Sequence, residues 1–285
     1  MNSEPPAAFW NLVDAVLLIN LDHREDRWEK FQTTAAGIIP TGKLHRIPAV
    51  LGKSLPGYGI RPWFRGRKRD LTWAARAGCT LSHRRALAMA RERGWQTVLI
   101  LEDDVAMDGS FSSQLEAIAL TLKRNEDAWQ ICYLGFTDPV TPCRVLDPID
   151  ANHQLFEISG CNCAHAYLIK PKLRDWILGQ LPEEKLIWPW LARHRAIDRW
   201  YMRNLSRHFH VTCISPALVN QETGFSDIAQ RETDYISIGS HLLHVPESYV
   251  KTSAFGLRHG LRCEWTRLSQ ICDISRGLVK RLRGF

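Results

Sequence analysis

No uncharged apolar run in the sequence approaches the ~18 residues that a membrane-crossing helix requires. The longest, residues 15–21, is strand-sized. The opening, MNSEPPAAFWNLVD, has neither a basic segment nor an apolar stretch of the kind that directs export. Both absences lead us to expect a cytoplasmic chain. The cysteines lack the paired C-x-x-C spacing of a zinc site. Eight are present (Cys79, Cys132, Cys143, Cys161, Cys163, Cys213, Cys263 and Cys272). In a long chain without an export signal they are expected to be free thiols. Cys161 and Cys163, within a strand-like run, read as small buried hydrophobes. Internal repeats and low-complexity linkers are absent too.

What is present is ordinary in bulk and uneven in charge. The 285 residues are 45% apolar and 24% charged. These values sit near globular averages and exclude a disordered chain, a collagen and a coiled coil. The net charge of +7 makes an acidic partner plausible: a nucleotide, a nucleic acid or an anionic membrane. Residues 251–285 carry eight Lys/Arg against two acids, and residues 61–76 carry six against one. The remaining chain is therefore slightly acidic, and the basicity belongs to two local features.

Apolar runs at residues 15–21, 44–50, 97–105, 129–136, 163–169 and 211–219 read as strands. Helical spacing recurs after residue 22, over 74–94, in SSQLEAIALTLKRN, in PKLRDWILGQL and in AIDRWYMRNL. The 74–94 helix is expected to begin near Leu81, with Thr80 or Ser82 as its cap and Gly94 as its stop. The alternation predicts an α/β fold with a mostly parallel sheet flanked by helices. GKSLPGYGIRPWFRGRKRD reads as a long surface loop. After residue 250, apolar residues at helical spacing with basic residues between them predict a basic helical tail. The expected division is residues 1–250 and 251–285.

Three clusters could carry chemistry. Glu102, Asp103 and Asp104 follow a buried strand, where open α/β sheets bind ligands. In extended backbone Glu102 and Asp104 share a side, which suits Mg²⁺ or Mn²⁺; a solvated acidic turn is the alternative. The second cluster is Asn20-Leu21-Asp22-His23-Arg24-Glu25-Asp26-Arg27, in a β–α turn. Arg24 and Arg27 share a helix face and could grip a diphosphate, or pair with Glu25 or Asp26. The third is Gly78-Cys79-Thr80-Leu81-Ser82-His83, whose histidine is either structural or functional.

The ordered motifs I-N-L-D-x-R-x-D-R, R-I-P-A-V-x-G, G-C-T-L-S-H and L-E-D-D-V resemble glycosyltransferase family 25, the lipopolysaccharide-biosynthesis glycosyltransferases. CAHAYLI, AIDRWYM and SPALVNQETGFSDI extend the resemblance to about residue 230. The Arg-rich insertion at residues 61–69 and the tail after 250 lie outside it. The resemblance implies a GT-A-like, Rossmann-type fold over residues 1–250. It implies an inverting transferase that moves a hexose, galactose or glucose, from a UDP-sugar to a saccharide or lipid-linked acceptor of lipopolysaccharide or another surface glycan.

On this reading Asn20, Asp22, Arg24, Arg27, Ala49, Val50, Gly78, Ser82, His83 and Asp103 line the nucleotide-sugar site. Glu102 and Asp104 hold Mn²⁺ or Mg²⁺. Asp198 is the candidate base for direct displacement, although a carboxylate at a helix N-terminus is also favoured by the macrodipole. Trp188, Trp190, Gln221, Ser226 and Asp227 are acceptor-site candidates; tryptophans are as readily core. His241 and His244 are weaker candidates for a late metal ligand. The tail, with Leu278, Leu282 and Phe285 among Arg276, Lys280, Arg281 and Arg283, fits peripheral docking on the cytoplasmic face of an anionic inner membrane. A metal-dependent phosphohydrolase or nuclease would use the same carboxylates but wants more metal-binding clusters. A nucleic-acid-binding protein fits the charge but not the acidic triplet, and no nucleic-acid partner is expected.

Overall fold

The computed structural model describes residues 7–67, 69–107, 111–137, 143–226 and 231–233, together with helical positions 261, 265, 268, 272, 275, 276 and 279. The helices are α1 (Ala7–Leu12), α2 (Glu25–Ala35), α3 (Arg69–Glu92), α4 (Phe111–Arg124), α5 (Pro171–Gln180), α6 (Ile187–His194) and α7 (Ile197–Asn204). The strands are β1 (Ala15–Asn20), β2 (Leu44–Pro48), β3 (Val98–Glu102), β4 (Val105–Met107), β5 (Ile131–Thr137), β6 (Cys143–Pro148), β7 (Gln154–Ile158), β8 (Asn162–Ile169), β9 (Val211–Ser215), β10 (Val219–Gln221), β11 (Gly224–Ser226) and β12 (Arg231–Thr233).

Eight strands form one sheet in the order β2-β1-β3-β8-β5-β9-β7-β6. β1 pairs in parallel with β2 and β3, and β5 pairs in parallel with β9. The junctions of β8 with β3 and β5, and of β7 with β9 and β6, are antiparallel. Six strands therefore run one way, and only β7 and β8 run the other. This is the mostly parallel α/β sheet that the alternation predicts.

The sheet is covered on both faces, which explains why its strands read as unbroken apolar runs rather than alternating ones. On β1, Ala15, Leu17 and Ile19 enter one core with α3, α5, α6 and α7. Val16 and Leu18 enter the other, with α1, α2 and α4. Val98 and Ile100 of β3 divide from Leu99 and Leu101 in the same way.

Three local expectations change. The helix α3 begins at Arg69, not near Leu81, and Gly94, at φ +70°, ends it as expected. Thr80 and Ser82 are mid-helix rather than capping; their hydroxyls donate to the carbonyls four residues back, Arg76 O (2.8 Å) and Gly78 O (2.7 Å). The early start is fixed by packing that local propensity does not contain: a Cβ on Gly78 would lie 2.2 Å from the Val50 carbonyl oxygen, so only glycine admits this approach of loop to helix. The Arg-rich loop, expected on the surface, is pinned by buried aromatics. Phe64 meets Trp188 at 4.6 Å between ring centroids and Trp73 at 5.9 Å, and Trp188 Nε1 donates to Pro56 O at 2.7 Å. Lastly, Cys163, expected to be buried, is partly exposed and sits at φ +66°.

Candidate active site

The chain ends of β1, β2 and β3 open on a cleft of about 620 Å³. Ile19, Leu21 and Arg27 enter from the β1–α2 turn, and Ala49 and Val50 from the end of β2. Ser82 and His83 come from α3, Glu102, Asp103 and Asp104 from the end of β3, and Asp198 from the first turn of α7.

The three carboxylates are separated by their partners. β3 stops at Glu102 and the chain turns, so strict alternation of sides does not extend through Asp104. Asp103 accepts Asn20 Nδ2 at 2.7 Å on one oxygen and Arg27 Nη1 at 2.7 Å on the other. Asn20 is buried, and its own oxygen accepts Arg46 Nε at 2.8 Å. Glu102 Oε1 lies 3.1 Å from His83 Nε2 and accepts the Cys79 thiol at 3.8 Å. Burial pushes Glu102 upward, but the His83 contact and charge overcome it and the net shift is down.

Asp104 differs from both. Burial and the charges of Glu102 and Asp103 push its carboxyl up to about 7, against the pull of Arg27 and a Gln221 hydrogen bond. Its Oδ1 and the Oε1 of Gln221 are buried acceptors with no hydrogen-bond donor. Gln221 arrives there because β10 pairs with β4, placing it opposite Val105, with Glu222 N donating to Asp104 O at 2.7 Å. Two orphaned oxygens beside a carboxylate held against its ordinary ionisation fit a hard divalent cation. Cys79, His83 and Glu102 also converge, their donor atoms within 4.8 Å of one another. Burial and nearby carboxylates hold the Cys79 thiol well above its usual value.

Of the expected nucleotide-side residues, Arg27, Ala49, Val50, Ser82, His83 and Asp103 line the cleft. Asn20 and Gly78 stand behind its wall: Asn20 holds Asp103, and Gly78 admits Val50, whose N–H donates to Ser82 Oγ at 2.8 Å. Arg24 pairs with Asp26 at 2.9 Å, and that partner holds the Asp26 carboxyl down at about 2. Neither Asp22 nor Arg24 is among the lining residues. Gln221 lines the cleft, but Trp188 and Trp190 are buried in the core and do not. Ser226 is in β11; Asp227, His241 and His244 lie outside the described residues.

Asp198 Oδ1 accepts Arg199 N at 2.7 Å, and Oδ2 accepts the Cys163 N–H at 3.4 Å. Cys79 and Cys163 line the same cleft as Asp198, Glu102 and Asp104, and these carboxylates, after burial, raise both thiols above their usual value. Sequence reasoning missed Arg76, Arg195, Arg199 and Arg203, which also line this end. The signal was present: 195, 199 and 203 recur every four residues across the α6–α7 corner.

The family model that matches is glycosyltransferase family 25 (LPS biosynthesis protein), over residues 13–139. The matched segment covers less than half of the chain, runs from β1 through β5 and contains every cleft residue up to Asp104. The resemblance expected further along, to about residue 230, lies beyond it. Procollagen galactosyltransferase 1-B of Xenopus laevis is 33% identical over 131 residues, covering 43% of this chain and 21% of that protein. The human protein named inactive glycosyltransferase 25 family member 3 is 30% identical over 131 residues, covering 43% and 22%. The chain thus spans about a fifth of the length of these curated relatives. Among solved structures, mannose-1-phosphate geranyltransferase from Thermus thermophilus aligns at a TM-score of 0.34 and 14% identity, over 71% of this chain and 73% of its own.

Proposed function

We propose that the protein is an inverting hexosyltransferase that takes galactose or glucose from a UDP-sugar and places it on a saccharide acceptor of a surface glycan. The observation that carries this reading is the cleft itself: the segment matched by the family 25 model supplies much of its lining, and Asp198, from outside that segment, lines the same cleft. The named galactosyltransferase among the relatives supports the donor class.

In this reading the Ala49–Val50 backbone flanks the nucleobase and Arg27 neutralises diphosphate charge. Asn20 and Arg27 hold the Asp103 carboxylate in place, one on each oxygen. Asp104, with Gln221 and Glu102 beside it, would hold Mn²⁺ or Mg²⁺, which when bound supplies positive charge to stabilise the departing diphosphate. Asp198 takes the proton from the acceptor hydroxyl as it attacks the anomeric carbon. Its carboxylate is aimed by the Arg199 and Cys163 N–H groups.

The deciding experiment is a UDP-sugar panel read by calorimetry or thermal shift, with and without Mn²⁺. Stabilisation by one UDP-sugar that requires Mn²⁺ and is lost in Asp104→Ala is the expected result. No response to any nucleotide sugar would sink the assignment. Turnover that acceptors fail to stimulate would favour the phosphohydrolase reading instead.

A further inference from the structure

The cleft carries more positive charge than a nucleotide-sugar and a metal can use. Arg27, Lys53, Arg76, Arg195, Arg199 and Arg203 line it against the carboxylates Glu102, Asp103, Asp104 and Asp198. A divalent cation and a nucleoside diphosphate very nearly cancel, so a surplus of positive charge remains when both are bound.

The surplus is not spread evenly. Arg27 is committed to Asp103, at 2.7 Å, and faces Asp104 at 3.8 Å. Arg76, Arg195 and Arg199 line the cleft together with Asp198: burial pushes the Arg76 guanidinium down, Asp198 opposes this, and Arg199 and Arg195 add to it. Clustered like charges beside a buried wall are costly unless an anion joins them. Arg195 stands at the C-cap of α6 at φ +71° and lines the cleft. The N-terminus of α7 opens on the same cleft through Ala196, Ile197 and Asp198, but Asp198 Oδ1 already accepts Arg199 N there, so the arginine side chains rather than the helix end supply the charge.

We infer that the acceptor is an anionic saccharide, a sugar carrying a phosphate or carboxylate group, which Arg76 and Arg199 grip while its hydroxyl faces Asp198. This rests on the glycosyltransferase reading and gives its acceptor a chemical class. Guanidiniums match both anions because their paired N–H groups fit two oxygens at once.

The test uses the full chain, Mn²⁺ and UDP. Binding to the UDP-loaded protein is measured by calorimetry for two matched pairs, methyl galactoside with its 6-phosphate and methyl glucoside with methyl glucuronide. The anionic member of at least one pair is expected to bind about tenfold tighter or better, the gain typical of a charge-assisted contact. Arg199 is exposed, so Arg199→Gln should fold normally. In it, and in Arg76→Gln, the preference should shrink to about twofold, and Arg199→Lys should restore part of it.

Equal binding of neutral and anionic members in both pairs overturns the inference. So does a loss of UDP affinity of tenfold or more in Arg199→Gln, which would assign these arginines to the donor diphosphate. Failure of every UDP-sugar to bind removes the glycosyltransferase reading itself, and this inference with it.

Discussion

His83 is fully buried, yet both ring nitrogens are engaged: Nδ1 with the Tyr167 hydroxyl at 3.0 Å and Nε2 with Glu102 at 3.1 Å. Tyr167 in turn meets the Tyr201 hydroxyl at 3.5 Å. One proton order satisfies the whole chain, each hydroxyl donating toward the imidazole and the imidazole donating to Glu102. A buried polar chain of this kind fails when one member is deleted, because its neighbours lose partners they cannot replace with water. His83→Ala should therefore lower stability by about 2 kcal/mol, and Tyr167→Phe by about 1 kcal/mol. Urea unfolding measures both, and an unchanged midpoint in His83→Ala would refute the chain. Asp198→Asn should behave differently, keeping UDP affinity while cutting turnover by at least about 100-fold. Near-normal turnover would leave Asp198 only its helix-terminal role.

At this scale the sequence was readable where chemistry and motif coincided. The carboxylate triplet, Ser82, His83, Arg27 and Asp198 all reach one cleft. Trp188 and Trp190 misled because an aromatic side chain looks alike whether it faces a sugar or a core. Arg195, Arg199 and Arg203 show a four-residue spacing in the sequence, but a solvated helix face carries the same residues at the same spacing, so the spacing alone does not assign them to a site. Only the fold reveals that α3 and α7 turn those faces toward Asp198.

At the scale of elements, the wall holding Ala49 and Val50 depends on backbone touching backbone. A Cβ on Gly52 would come within 1.7 Å of Ala74 O, and one on Gly78 within 2.2 Å of Val50 O. Neither contact can be relieved by turning a side chain, since the obstructing atoms belong to a helix and to the loop itself. Gly78→Ala should thus cost about 1–3 kcal/mol as an overpacking change. Because the displaced atoms form the nucleobase wall of the proposed site, it should also weaken UDP binding. Thermal denaturation and UDP calorimetry of the same variant test this together. A stable Gly78→Ala protein with unaltered UDP affinity would detach the loop from the site. The same contacts explain the misplaced start of α3. Gly78, just ahead of Thr80, suggests a break to local reasoning, whereas tertiary packing requires that glycine inside the helix. β6 and β7 were missed for a related reason. β6 is the edge strand and shows partial burial along most of its length, so no long apolar run marks it; β7 lies between β9 and β6 and is buried, but its short run QLFEI is interrupted by Glu157, which pairs with Arg144 of β6.

Over the whole molecule, the strand–helix alternation carried the architecture, because both faces of the sheet are covered and each strand must be apolar throughout. The tail follows a different rule. Among its described positions, Leu261, Trp265, Leu268 and Val279 are helical and exposed at 63%, 67%, 57% and 43%. Spacings of four, three and eleven are those of residues that share one side of a helix, as a stripe, at 3.6 residues per turn. In sequence, residues 251–285 also carry eight Lys/Arg. No described helix is long and apolar enough to cross a membrane, so the stripe suits lying on a surface rather than spanning one. Anionic lipid attracts such a segment by roughly 1 kcal/mol per Lys/Arg near the surface, an attraction that falls within a Debye length. Flotation with anionic liposomes should therefore recover the full chain at low salt and lose it at high salt. A chain ending at residue 264 should lose most of that recovery while keeping its UDP affinity, because among the described residues the cleft draws on none of the tail. Equal flotation of the two chains would place the basic surface elsewhere, with the arginines of residues 61–69 as the next segment to neutralise.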